Sequence, residues 1–539
     1  MSKEEKVVVA KFRSQVGTVF WVSLAFSVLF VLWGVFFTEN LSGVFETALS
    51  YVVATFGWIY LIAVTGFLVF ILYLALSKHG RVRLGKDDER PEFSTVAWIS
   101  MLFAAGVGLS FLFWGVAEPA SHLGTTPYGL AEPNTPEAAG LSLQYTFFHW
   151  GLHPWAVYAV VALAIAYFSF RRGEGSLISA TLRPLFGDRV DGALGKAVDI
   201  LAIVAVLFGV ATALGIGATQ MNGGLSYVFG APQDSLPVQF IIIAVLTLAY
   251  LISAATGINK GIKILSLFNV SLAFLLMLFV LFAGPTVFLL ETFTESIGRY
   301  LGELAPMSFQ TAAFGDGSWA EAWTLFYWAW WVSWAPFVGT FIARISKGRT
   351  IREFVMGVIF APTLLSFVWF TIFGGTAIHL DLFQGGAIAE TAASNLPQSL
   401  FDTLYSLPLG AVISVVALVL VSIFFVTSGD SATFVLGSMS TGGSENPSAL
   451  VKLAWGVVVA LFASVLLFAG GLQALQTATI TAAVPFALVM ICICFSLYKS
   501  LTAEARETEA ARRSILERTA DRLGRPSGGV ANPAPSRKK

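Results

Sequence analysis

Residues 326–339 read FYWAWWVSWAPFVG, a stretch with four tryptophans and no charged side chain. Trp328, Trp331 and Trp334 are spaced three apart, and Trp330 and Trp334 are four apart. Residues three and four apart are neighbours on a helix surface, so these rings form one wide aromatic face. The surrounding segment 320–343 is apolar and exceeds the roughly 20 residues that a bilayer-spanning helix needs. The stretch therefore predicts a membrane helix with an unusual concentration of tryptophan inside it.

The rest of the chain has the same apolar character. Of its 539 residues, 56% are hydrophobic and 12% are charged, whereas soluble domains average about 25% charged residues. A water-exposed fold could not cover this much apolar surface, so the predicted fold class is an all-α membrane protein with twelve transmembrane helices. The predicted spans are approximately 17–38, 50–77, 96–116, 141–170, 197–227, 237–255, 264–291, 320–343, 354–377, 404–427, 450–469 and 474–498.

Lysine and arginine are distributed unevenly between the predicted loops. Of the 32 basic residues, 31 lie in the terminal segments or in every second loop, and Arg299 alone lies in the other set. Cytoplasmic loops carry the excess of basic residues in membrane proteins. We therefore expect a multi-pass protein of the inner (plasma) membrane with both termini in the cytoplasm. The arginines of the C-terminal tail either bind anionic membrane lipids or lie on a solvated helix.

Three predicted spans contain small or polar clusters of the kind at which transporter helices unwind around ligands. Span 3 contains Gly106 and Gly108, and span 5 has five glycines within 209–224. For span 3 the alternative is close helix packing through small residues.

Span 10 carries the third cluster, Thr427-Ser428-Gly429-Asp430-Ser431. Asp430 is a candidate functional acid, because ionisable groups are costly inside a membrane, although a structural partnership is an equal alternative. Thr427 and Ser428 offer hard oxygen ligands that suit sodium.

Span 4 adds a second aromatic group, Trp150, Trp155 and Tyr158. An aromatic cage can hold a quaternary ammonium, which has no N–H to donate, through cation–π attraction of roughly 0.5–2 kcal/mol per ring face. The alternatives are core packing and an interfacial belt, to which we assign Trp319 and Trp323 at the outer end of span 8. The cage interpretation predicts a quaternary-ammonium substrate.

Other classes of function have less support in the sequence. His149 and His153 are four apart, but a metal site needs at least one further ligand, so we expect packing or a hydrogen bond. We find no nucleophile–base arrangement and no Walker A loop, so neither an enzyme nor an ATP-driven pump is expected. A channel would need a polar stripe along several spans. No organic cofactor and no nucleic-acid partner are expected.

Residues 147–158, FFHWGLHPWAVY, and residues 326–339 strongly resemble the betaine/choline/carnitine transporter family. WGVAEP at 114–119 and TSGDS at 427–431 support the resemblance, which covers roughly residues 12–500. It implies a secondary transporter that imports a zwitterion such as glycine betaine by alternating access, coupled to sodium. It also implies a homotrimer and a LeuT-type fold of two inverted five-helix repeats.

The resemblance divides the chain into six parts. Two extra N-terminal helices would precede the repeats, which comprise spans 3–7 and spans 8–12. The implied divisions are a cytoplasmic segment 1–14, the two extra helices 15–95, the first repeat 96–291, an amphipathic connector 292–319, the second repeat 320–499 and a cytoplasmic tail 500–539.

The resemblance also assigns roles to individual residues. The implied substrate box is Trp150, Trp155, Tyr158 and Trp331, with Ser110 beside it. Trp330 and Trp334 match positions on the exit path of the family. The implied sodium ligands are Ala104 and Val107 with Thr427 and Ser428.

Two departures from the family pattern bear on mechanism. Val206 and Val210 stand where betaine symporters have the threonines of a second sodium site, which puts a two-sodium stoichiometry in doubt. The alternative function is a sodium-independent carrier, proton-coupled or an antiporter, of choline, carnitine or a related onium compound. Ser110 stands where choline carriers tend to have an acidic residue, which favours a zwitterion.

Overall fold

The computed structural model describes residues 3–106, 108–256 and 259–524. Within these ranges the chain is a bundle of α-helices, and the one β pairing is an isolated bridge between Arg83 and Thr350. The helices are α1 (Lys3–Gln15), α2 (Thr18–Phe36), α3 (Thr38–Leu76), α4 (Thr95–Gly106), α5 (Leu109–Gly124), α6 (Pro136–Trp150), α7 (Leu152–Ala166), α8 (Arg183–Phe186), α9 (Ala193–Phe229), α10 (Leu236–Thr256), α11 (Asn259–Ala283), α12 (Thr286–Ser308), α13 (Ser318–Ala320), α14 (Phe326–Ile345), α15 (Ile351–Gln384), α16 (Ile388–Ser394), α17 (Gln398–Tyr405), α18 (Gly410–Ser440) and α19 (Ala449–Gly524).

Nine helical segments of the described chain are long and apolar enough to cross a membrane. One of them, α19, contains two predicted spans, because its backbone leaves the helical conformation at Gly470 and Gly471. Gly471 has φ +61° and ψ −138°, a combination that side chains with a Cβ rarely adopt. The predicted span 96–116 corresponds to α4 and α5 together. The predicted span 320–343 corresponds mainly to α14. The chain is therefore a multi-pass membrane protein, and the count of twelve spans and the two inverted repeats stay predictions.

Loops that the basic residues assign to one side contact one another. The Gln15 side chain donates to the carbonyl of Asn446 (3.1 Å) and accepts from the Ser448 amide (2.8 Å). Lys499 Nζ donates to the Pro184 carbonyl at 2.7 Å. These contacts agree with the predicted sorting of loops, while the orientation of the termini across the membrane stays a prediction.

The helix break predicted in span 3 is present. Helix α4 ends at Gly106 and α5 begins at Leu109, with Gly108 in an extended conformation between them. Val107 lies outside the described residues. Because α5 starts inside the bundle, the amides at its start lack carbonyl partners one turn earlier in the same helix.

A second break, which the sequence analysis did not predict, divides span 4 at Gly151. The backbone there has φ −93° and ψ −128°, and it separates α6 from α7. A Cβ at this position would lie 2.5 Å from the Phe147 carbonyl oxygen and 2.9 Å from Phe367 Cε1. Only glycine fits this position. Because of the turn, Trp150 and Trp155 belong to two different helices.

The predictions of unwinding in spans 5 and 10 were wrong. Helix α9 continues through all five of its central glycines, and α18 continues through the Thr427–Ser431 cluster. A Cβ at Gly217 would lie 2.3 Å from Leu109 Cδ2, and one at Gly429 would lie 2.4 Å from Tyr250 Cδ1. These glycines therefore permit close helix packing and do not interrupt their helices.

Two predicted peripheral helices are present. Helix α12 (Thr286–Ser308) begins a few residues before the predicted connector, and α19 continues into the tail as far as Gly524. Whether α12 lies on a membrane surface stays a prediction.

Candidate functional site

A cavity lies where the two helix breaks approach α14. About 510 Å³ of this space is free of atoms, including a part that opens to solvent. The walls are formed by Gly108, Leu109, Ser110, Phe111, Trp150, Pro154, Trp155, Tyr158, Trp330, Trp331, Trp334 and Val338.

The structure brings together all five residues that the resemblance assigned to the substrate. The Trp331 ring lies 4.9 Å from the Trp150 ring at 71° and 6.1 Å from the Tyr158 ring at 79°. Trp155 and Tyr158 are 5.6 Å apart at 81°. Rings that meet nearly at right angles present their faces from several directions, which is the arrangement a cation–π cage requires. Ser110 lies at the same cavity, in the first turn of α5.

The two exit-path candidates line the same cavity farther along α14. Trp330 stacks on Trp331 with centroids 5.1 Å apart and 10° between planes. Its indole N–H donates to the Gly209 carbonyl oxygen at 3.4 Å. Trp334 is half-buried and meets Trp330 at 83°. The role of Trp330 and Trp334 on an exit path stays a prediction.

Glu118 is a residue to which the sequence analysis gave no role. It is fully buried, and its Oε2 accepts a hydrogen bond from Trp150 Nε1 at 2.6 Å and another from the Tyr327 hydroxyl at 2.5 Å. His149 Nδ1 lies 2.7 Å from Oε1. The Trp331 indole in turn donates to the His149 carbonyl at 3.0 Å. The Glu118 carboxylate therefore accepts a hydrogen bond from Trp150 directly. Its link to Trp331 is indirect and passes through the ring and the backbone carbonyl of His149.

A sequence signal for Glu118 did exist. The stretch WGVAEP at 114–119 carries this carboxylate at the end of an apolar run, and an ionisable residue at such depth is a functional candidate by default.

The histidines of span 4 make hydrogen bonds, as expected. His149 Nε2 lies 2.9 Å from Thr324 Oγ1, and His153 Nε2 lies 3.1 Å from Ser308 Oγ. Two further possible metal ligands lie near His149 but are not shared with His153, because the ligand atoms of Glu118, His122 and His149 lie within 4.8 Å of one another. Glu118 and His122 are four residues apart on α5, and the packing of α5 against α6 brings His149 to them.

The belt prediction was wrong for Trp319, whereas for the half-buried Trp323 it stays a prediction. The Trp319 side chain is 8% exposed, and its ring lies 5.1 Å from the His122 ring. The Trp323 ring lies 4.4 Å from the same histidine. Both indoles pack against His122, and Trp319 does so from inside the bundle.

The predicted sodium ligands are described only in part. Thr427 Oγ1 donates within its own helix to the Ile423 carbonyl at 2.9 Å, and Ser428 is half-buried. Ala104 lies in the last turns of α4, and Val107 lies outside the described residues. The sodium site stays a prediction.

The two valines that depart from the family pattern are buried within α9. Val206 and Val210 are 0% and 2% exposed, and neither side chain has an oxygen atom. At these two positions the chain offers no side-chain oxygen to an ion.

Asp430 is half-buried on α18. A structural partnership and a functional role both stay open for this carboxylate.

Comparison with known proteins gives one family and several relatives. Residues 18–506 match the family model described as BCCT, betaine/carnitine/choline family transporter. A protein of Bacillus subtilis named glycine betaine transporter OpuD is 49% identical over 92% of this chain and 97% of its own length. A probable glycine betaine transporter of Desulfitobacterium hafniense is 43% identical over 90% and 98%. An ectoine/hydroxyectoine transporter of Virgibacillus pantothenticus is 42% identical over 91% and 97%. These relatives are named as transporters and not as enzymes.

Proposed function

Since the chain belongs to the betaine/carnitine/choline family of transporters, we propose that it imports glycine betaine, or a closely similar quaternary-ammonium zwitterion, across the plasma membrane. The observation that carries this proposal is the cavity itself. Aromatic faces form one wall, and the start of α5 forms another.

The two ends of a zwitterion match these two walls. The methylated cation would lie among Trp150, Trp155, Tyr158 and Trp331, where ring faces attract a positive charge that cannot donate a hydrogen bond. The carboxylate would lie toward Ser110 and the first amides of α5, because helix N-termini bind anions through free N–H groups and the helix dipole. Choline has no carboxylate to satisfy those donors, so the arrangement favours a betaine.

We further propose that import is coupled to sodium by alternating access, in a homotrimer with the LeuT-type repeats. Thr427, Ser428 and the backbone near Ala104 and Val107 are the proposed ion ligands. The buried hydrocarbon of Val206 and Val210 supports a single sodium ion per cycle.

Uptake of labelled glycine betaine into proteoliposomes tests this function. We expect saturable uptake that an inward sodium gradient drives and that an equal potassium gradient does not. Thr427→Ala together with Ser428→Ala should abolish the sodium dependence.

A second candidate is a sodium-independent carrier, which the two valines favour. It predicts uptake that a proton gradient or internal substrate drives, with little loss in the double variant. Uptake that does not saturate would contradict both candidates and would indicate a channel.

A further inference from the structure

Glu118, His122 and His149 form a buried cluster beside the substrate cavity, which we call the outer cluster. All three side chains are 0% exposed. Glu118 and His122 are four residues apart on one face of α5, and His149 comes from α6. Two imidazoles and a carboxylate are a ligand set that zinc sites use.

The unsatisfied member of the outer cluster is His122. Neither of its ring nitrogens has a hydrogen-bond partner among the residues that the structure describes. Its Nε2 nevertheless lies 3.4 Å from Glu118 Oε1. Buried polar groups normally have partners, and an exception calls for an explanation such as a bound ion.

The ligand atoms of the outer cluster lie within 4.8 Å of one another, and one of their distances already fits a tetrahedral ion. With zinc–ligand bonds of about 2.0–2.1 Å, neighbouring ligand atoms lie about 3.3–3.4 Å apart. The His122–Glu118 distance already has this value. The 2.7 Å between His149 Nδ1 and Glu118 Oε1 is a hydrogen bond, so this distance must open by about 0.6 Å to reach the tetrahedral spacing as His149 gives up its Nδ1 proton.

A second group orients His149 in the way that metal sites require. Metal-bound histidines almost always donate their other ring N–H to an oxygen acceptor. The other ring nitrogen of His149, Nε2, lies 2.9 Å from Thr324 Oγ1. Thr324 belongs to a π-helical turn that begins at the exposed Glu321. The same turn carries Trp323, which covers His122.

We propose that the outer cluster binds one divalent transition-metal ion of the zinc type, and that this ion inhibits transport. The three ligands tie α5 to α6, and α6 ends at Trp150 in the substrate cage. A carrier that alternates between two states must rearrange the helices around its site, and an ion that bridges two of them resists this motion. The inhibitory half rests on the proposed function, whereas the binding half does not.

Binding is tested on the purified full-length protein with Co²⁺ as a coloured probe and Zn²⁺ as its competitor. We expect one Co²⁺ per chain with visible absorption bands that Zn²⁺ removes. His122→Ala should abolish these bands, and His379→Gln, a histidine outside the outer cluster, should leave them unchanged. Thr324→Val, which retains the shape of the side chain, should weaken the affinity by about 10–100-fold, as loss of such an outer partner does.

The binding half is overturned if wild type and His122→Ala bind Co²⁺ equally, or if wild type binds none. Inhibition is tested by adding Zn²⁺ to glycine betaine uptake. Full-rate uptake by the zinc-loaded protein overturns the inhibitory half. If the chain moves no betaine at all, the proposed function fails while the Co²⁺ titration still decides binding.

Discussion

Trp331 is the ring common to the contacts of the substrate cage, since it meets Trp150 on one side and Tyr158 on the other. Trp331→Ala removes a face worth about 0.5–2 kcal/mol of cation–π attraction, together with the packing of its neighbours. We expect the apparent KM for glycine betaine to rise about tenfold or more in an uptake assay. The matched control is Trp58→Ala, because Trp58 is 54% exposed on the outside of the bundle. An equal KM change in both variants would remove Trp331 from the cage.

Glu118 is a positioning residue, because it acts on substrate through Trp150 and His149. Glu118→Gln keeps the shape of the side chain but replaces one carboxylate oxygen, an acceptor, by an NH2 group, a donor. At least one of the buried groups that donate to Glu118 then loses its partner. A hydrogen bond to a charged group contributes about 1.5–3 kcal/mol, so we expect kcat/KM to fall by about 10–100-fold. Tyr327→Phe removes one donor and should have a smaller effect.

The split between KM and kcat distinguishes positioning from general damage. A rise in the KM for betaine in a normally folded Glu118→Gln protein supports the role. Loss of folded protein alone, with unchanged KM in the remainder, contradicts it.

At the scale of helices, Gly151 determines how span 4 presents its tryptophans. Gly151→Ala places a Cβ 2.5 Å from the Phe147 carbonyl and 2.9 Å from Phe367. Overpacking of this kind costs about 1–3 kcal/mol, so we expect a lower Tm and weaker betaine binding. Gly43→Ala is the control, since a Cβ there meets nothing within 4 Å, and its Tm should not fall. Equal stability of the two variants would show that the break tolerates a side chain.

The helices also show how far the sequence could predict this fold. Long apolar runs located the membrane helices because the bilayer sets their length. Glycine was less informative, because it marks both breaks and close contacts. The breaks at Gly108 and Gly151 and the continuous α9 look alike until the neighbouring atoms, such as Leu109 beside Gly217, are known.

At the scale of the whole molecule, Arg171 joins three segments that the basic residues assign to the cytoplasm. Its guanidinium pairs with Glu504 of the tail, lies 2.8 Å from Asp87 and donates to the Gly85 carbonyl at 2.9 Å. Arg171→Gln removes these partly buried pairs, and we expect a lower Tm in detergent. Arg172→Gln, at the next position, provides the control. Equal melting of both variants would mean that the network contributes nothing to stability.

The candidate site was predictable only in part, because some of its contacts join residues that are far apart in the sequence. Trp150, Trp155, Tyr158 and Trp331 belong to distinctive motifs, so their positions near one cavity followed from the resemblance. The bonds from Glu118 to Trp150 and Tyr327 join residues 32 and 209 positions apart. No local spacing carries such information. The covering of His122 by Trp319 was missed for the same reason.

The most direct test of the aromatic cage compares glycine betaine with 3,3-dimethylbutanoate, its isostere with carbon in place of the charged nitrogen. Both ligands would be titrated into the purified protein, with tryptophan fluorescence as the readout. Shape and carboxylate are matched, so the difference isolates the attraction of ring faces for the cation, about 0.5–2 kcal/mol per face. The structure predicts that betaine binds at least about tenfold more tightly. Equal affinities, or no binding of betaine, would contradict the cage.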